Sequence, residues 1–105
     1  MSDTIIEESI RDTNTYSATN DSGAIELTQL FHIVNDLDAE ATVTFYGTRQ
    51  EDATSFADGV SLGSVTVTAS TTSFETLSDP WEEVKVEIVA SSAPSSGDIG
   101  VYEMN

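Results

Sequence analysis

Cysteine is absent from the 105 residues, which excludes disulfides, zinc–thiolate sites and thiol catalysis. Basic residues are nearly absent: Arg11, Arg49 and Lys85 stand against 19 Asp and Glu, for a formal charge of −16. Nucleic-acid binders replace phosphate counterions with lysine and arginine, and an anionic membrane surface needs the same footprint. Neither partner is expected. No apolar run approaches the roughly 18 residues that span a bilayer, and no basic-then-apolar leader opens the chain. A soluble protein made without an export signal is expected. Histidine occurs once, at His32, too few for a multi-histidine metal site.

What is present is short apolar alternation. Val84, Val86 and Ile88 share one side of a stretch whose other side holds Lys85, Glu87 and Val89, the two-residue period of a half-buried strand. Ile99, Val101 and Glu103 alternate with Gly100, Tyr102 and Met104 after a turn-rich run, 91–98, so this last strand is expected to fold back on the one before as a hairpin. Asp79-Pro80-Trp81 marks the entrance, with Trp81 read as a plug of the core. Residues 41–49 alternate Thr42, Thr44, Tyr46 and Thr48 against Val43, Phe45 and Gly47.

Across 24–35, Leu27, Leu30, Phe31 and Val34 also fit a helical spacing. Ile25, Ile33 and the β-branched density decide for a strand. Leu30, Phe31, His32, Ile33 and Val34 make its second half apolar on both faces. Val65, Val67 and Ala69 share a face in the next strand, 70–73 reads as a turn, and Phe74, Thr76 and Leu77 as a short strand. Thr4 to Ile10 predicts a strand with Ile6 and Ile10 inward, followed by a polar run that Tyr16 can anchor. Residues 1–22 are either an arm reaching a neighbouring subunit or an edge strand with a loop. Short strands about ten residues apart predict an all-β, antiparallel β-sandwich or jelly-roll-like domain of seven or eight strands over 23–105.

The carboxylates are too numerous for closeness to be informative. Asp36, Asp38 and Glu40 could offer oxygens to Ca²⁺, but the EF-hand spacing and its glycine are missing, and a solvated acidic turn is the preferred reading. Glycoside hydrolysis needs two carboxylates held roughly 5–10 Å apart across a cleft, which a thin sandwich does not offer. No Gly-x-Ser-x-Gly elbow marks a nucleophile. No catalytic, cofactor-binding or metal residue is assigned, no cofactor is expected, and the chain is read as non-enzymatic. Trp81, Tyr46, Tyr102 and Tyr16 could stack on a sugar ring. The lysine-poor, acid-rich composition resembles that of proteins from extreme halophiles, whose like-charge repulsion fades where the Debye length is about 3 Å, at 1 M salt.

Ser61-Leu62-Gly63-Ser64-Val65-Thr66-Val67, Phe74-Glu75-Thr76-Leu77, Asp79-Pro80-Trp81, Val84-Lys85-Val86-Glu87-Ile88 and Ala93-Pro94-Ser95-Ser96-Gly97-Asp98-Ile99-Gly100-Val101-Tyr102 resemble small β-sandwich virion proteins of tailed viruses. With the salt-adapted composition, the chain is similar to a structural protein of a haloarchaeal tailed virus. Glu82-Glu83 departs from the pattern, which favours an aromatic or glycine there. The resemblance implies a trimer or pentamer in the virion, as a capsid decoration, turret or spike component or a tail part. It implies contact with itself and with the major capsid or other virion proteins. Leu30, Phe31, His32, Trp81 and Tyr102 are the candidate structural and assembly residues. A carbohydrate-binding module for host attachment is the alternative.

Overall fold

The computed structural model describes residues 2–20, 29–48, 60–77 and 83–104. Eight strands are found among them: β1 (Ser2–Glu8), β2 (Thr15–Asn20), β3 (Gln29–Asn35), β4 (Ala41–Thr48), β5 (Val60–Val67), β6 (Thr71–Leu77), β7 (Glu83–Ala90) and β8 (Ile99–Met104). They form two four-stranded sheets, β1-β8-β3-β6 (sheet I) and β2-β7-β4-β5 (sheet II). Every neighbouring pair is antiparallel. Only β4 and β5 are consecutive neighbours; every other step along the chain crosses between sheets. That order is the eight-stranded jelly roll, two Greek keys closed face to face.

The alternation read from the sequence sets the inner faces. Phe31, Ile33, Val43, Phe45, Val84, Val86, Ile88, Ile99 and Val101 are all buried. Phe31 and Phe45 meet between the sheets, ring centres 5.1 Å apart. Ile6 and Ile10 join the core as expected. β1 and β2 are the outermost strands on one side of the two sheets. The strand expected over 24–35 appears as β3; 24–28 and the Asp79-Pro80-Trp81 entrance lie outside the described residues.

The expected C-terminal hairpin is not formed. β7 lies between β2 and β4, and β8 lies between β1 and β3 in the opposite sheet. The 91–98 connection is held away from a tight reversal by bonds to the β3–β4 corner. Ser91 N donates to Glu40 O (2.9 Å), Asp36 N to Asp98 O (2.8 Å) and Asp38 N to Ser96 O (3.4 Å). Crossing lets the apolar sides of both strands enter one core, where a hairpin would have set them side by side. The 70–73 turn is also shorter than expected. The chain reverses at Ala69-Ser70, with Ser70 at φ 57°, and β6 starts at Thr71. β5 begins earlier than expected, at Val60, and is bulged near Gly63 (φ 126°) opposite Phe45. A left-handed backbone there favours glycine.

Asn35 ends β3 fully buried. Its side-chain amide donates to the carbonyls of Ala39 (3.1 Å), Val67 (3.0 Å) and Thr68 (3.3 Å), and its carbonyl oxygen accepts from Leu37 N (3.1 Å). One side chain thus ties the β3–β4 corner to the end of β5.

Candidate interaction surface

The two outer faces of the sandwich differ in chemistry. On sheet II the outward rows read Thr15-Val89-Thr42-Thr66 and Ser17-Glu87-Thr44-Ser64. Thr44 and Ser64 hydroxyls lie 2.9 Å apart, and Lys85 pairs with Glu87 at 3.1 Å. The Lys85 ammonium sits 5.8 Å from the Tyr46 ring centre. This is a hydroxyl-rich, solvated face.

Sheet I has an aromatic and aliphatic centre on its outer face, flanked by Thr4, Glu7, Thr72 and Thr76. The register sets Thr4, Tyr102, His32 and Phe74 in one row across all four strands. His32 and Phe74 stack nearly parallel, 4.6 Å apart and 8° between planes. Tyr102 leans toward His32 at 6.3 Å and 56°. Leu30 and Val34 occupy the flanking outward positions on β3, both half-buried. Phe74 is the one large apolar side chain among the described residues that is well exposed, at 57%. Aromatic pairs of this kind prefer offset or tilted contact over a perfect sandwich.

Tyr102 is positioned from two sides. Its hydroxyl donates to the Glu7 carboxylate on β1 at 2.7 Å, which, with partial burial, raises its pKa. Its ring covers Gly100, where a Cβ would collide with the Tyr102 hydroxyl and ring. Gly100 therefore leaves room for the ring to lie flat on the strand.

The candidate residues of the sequence fall into three groups. Leu30, His32 and Tyr102 come together on the outer face of sheet I, whereas Phe31 points into the core. Trp81 lies outside the described residues. The aromatics considered for sugar stacking are dispersed. Tyr46 is on sheet II, and Tyr16 packs against the core with its hydroxyl donating to Asp12 (2.9 Å), a bond that raises its pKa. Asp36, Asp38 and Glu40 are exposed in the β3–β4 connection, alternating with buried Leu37 and Ala39. Asp38 accepts from Ser95 N (2.9 Å) and from the Ser95 hydroxyl, which lowers its pKa. Its carboxylate thus caps the 93–98 turn. Among the described residues no group of three or more His, Cys, Asp or Glu could hold a metal ion.

The fold is shared widely; the sequence is not. No family model matches the chain, and no curated protein matches it in sequence. Among solved structures, the chain is similar to the PBSX exported protein XepA, at TM-score 0.72 and 14% identity over 98% of this chain. It spans only 36% of XepA's length. The Yersinia pseudotuberculosis-derived mitogen superposes at TM-score 0.69 and 9% identity, over 99% of this chain and 85% of that one. PirA superposes at 0.67 and 13% identity, over 97% and 94%. At such identities the likeness establishes the jelly-roll fold.

Phe74 is the surface residue that sequence reasoning passed over. Its signal was available: Thr72, Phe74 and Thr76 alternate with Ser73 and Glu75, a mostly polar strand with one ring among threonines. Nothing in the sequence says that β6 lies beside β3, so the stack on His32 was not legible.

Proposed function

We propose that the protein is a non-enzymatic structural component of a virion, a capsid decoration or surface turret or spike protein of a haloarchaeal tailed virus, docking through the outer face of sheet I. The observation that carries this reading is the asymmetry of the two outer faces. Sheet II presents mainly threonine and serine with Val89, Tyr46 and one ion pair, while sheet I presents Leu30, Val34 and the Tyr102-His32-Phe74 row flanked by Thr4, Thr72 and Thr76. An apolar, aromatic centre with few charges is the composition of protein–protein interface cores. It stands out on a chain carrying −16, where most of the surface repels other acidic proteins. The strand pattern around Ala93 to Tyr102 supports the virion assignment, as does the jelly roll, a common capsid architecture.

The test is co-sedimentation with particles of a haloarchaeal tailed virus in multimolar KCl. His32→Asp puts a charge in the middle of the row and should weaken binding at least about tenfold, as disruption of a central interface residue does. Binding unaffected by the substitution would remove the face from the reading, and no binding to particles would remove the virion role.

A second reading rests on the same row. Stacked His32 and Phe74, beside Tyr102 with its Glu7 partner, form an aromatic strip of the kind that carries a sugar ring. Calorimetric titration with neutral oligosaccharides separates the readings, because a glycan module binds them without a particle.

A further inference from the structure

The edges of the two sheets are not equally protected against pairing with another chain. An open strand edge is a template for a further strand, and charge, bulges and irregularity blunt it. β1 carries Asp3, Glu7 and Glu8 and shifts register between Thr4 and Ile6. β5 is bulged beside Gly63. β2 is regular and uncharged, yet its outward side chains are Thr15, Ser17 and Thr19, so pairing there would cover no apolar surface.

β6 differs from all three. Thr71–Leu77 pairs with β3 residue for residue without a shift, and among the described residues it has a strand on one side only. Its seven residues hold one charge, Glu75, and include the exposed Phe74.

We propose that β6 pairs with β6 of a second copy of this chain, antiparallel, about a two-fold axis through Phe74. The inference rests on the self-assembly part of the virion reading and names its contact, with two copies in place of the trimer or pentamer implied by resemblance. The strand is self-complementary at this centre. Thr72 faces Thr76 and Ser73 faces Glu75, each twice, and all seven residues take part. Centring the axis on Glu75 would oppose two carboxylates, which is unfavourable across a strand pair. Centring it on Ser73 would leave the last two residues of the strand unpaired. Charge and length therefore select one register. A two-fold contact of this kind uses the same patch on both copies. It joins the two copies of sheet I into one eight-stranded sheet. The aromatic row then runs Tyr102-His32-Phe74 and back through Phe74, His32 and Tyr102 of the second copy, and the exposed phenyl ring is covered by its own image.

The absence of cysteine allows a direct test, because a single introduced thiol has no other partner in the chain. Directly opposed residues of an antiparallel pair have Cα atoms about 4.5–5.5 Å apart, within the roughly 4.4–6.8 Å that a disulfide spans. Phe74→Cys, at an exposed site, should oxidise in multimolar KCl to a linked dimer. Thr72→Cys and Thr76→Cys should each stay unlinked alone, since each lies about 13 Å from its own copy along the strand, but should link when mixed. Sedimentation velocity of the unaltered chain should show a dimer. A monomer in that experiment, or equal linking of all three single variants, would overturn the pairing. A dimer that does not bind particles would overturn the virion reading and leave the pairing standing. A monomer that binds particles would do the reverse.

Discussion

Asn35 shows how much one side chain can hold. Its amide reaches three carbonyls and its oxygen serves Leu37 N, all in a fully buried site. A buried polar group left without its partner costs about 1–3 kcal/mol. Asn35→Ala strands the Leu37 N–H and several carbonyls together. The melting temperature should fall on the order of 10 °C, given roughly 4–8 °C per kcal/mol for a domain of this size. Thermal unfolding by circular dichroism checks this, and an unchanged midpoint would show that water replaces the amide without loss. In the sequence Asn35 is only the last residue of the strand read across 24–35, and it does end β3. Its partner Val67 O is 32 positions away, and no local pattern reveals such a bond. The outer face of sheet I was half legible in the same way. Leu30, His32, Tyr102 and Phe74 each sit on an alternating run, whereas their meeting in one row needed the β3–β6 and β3–β8 registers.

At the scale of elements, alternation placed the apolar strands because burial on one face imposes a two-residue period, but it gave no sign of β2 in the polar run at Thr15–Asn20. β4 and β7 follow it along their length, with Val43, Phe45, Val84, Val86 and Ile88 inside. Pairing was another matter. Two alternating strands joined by a turn-rich run suit a hairpin and a crossover equally well. The bonds from 91–98 to the β3–β4 corner decided for the crossover. β1 and β2 close the other edge of each sheet. They cover the edges of β8 and β7 and bring Ile6 and Ile10 into the core, each worth about 1.5–3 kcal/mol of burial. A chain starting at Gly23 loses both, together with two ladders. Scanning calorimetry in multimolar KCl should show a cooperative transition for the full chain and none for the shortened one. A retained transition at the same temperature would show that 2–20 stand apart from the core.

For the whole molecule, the charge of −16 is the dominant long-range term. Folding gathers the carboxylates on a small surface, where self-repulsion opposes the compact state. Raising salt from 0.1 M to 1 M shortens the Debye length from about 10 Å to about 3 Å. Lys85–Glu87, half-exposed, loses little, because surface ion pairs contribute at most about 1 kcal/mol. The unfolding midpoint should therefore rise steeply with KCl, and more than with an osmolyte matched in water activity. A flat midpoint would remove the halophilic part of the proposal.

The sequence by itself determined the class of fold, since alternating apolar residues in short runs allow only half-buried strands. It also determined the acidic surface and the lack of thiols, which composition states directly. Only the tertiary structure decided which strands are neighbours, because hydrogen bonding between strands is nearly indifferent to side chain and is chosen by how the whole set closes around one core. That choice sent β8 into the sheet opposite β7, aligned Tyr102, His32 and Phe74 from three strands into one row, and left β6 at an edge. The aromatic row is a product of register, and register is a long-range property that no short stretch of the chain contains.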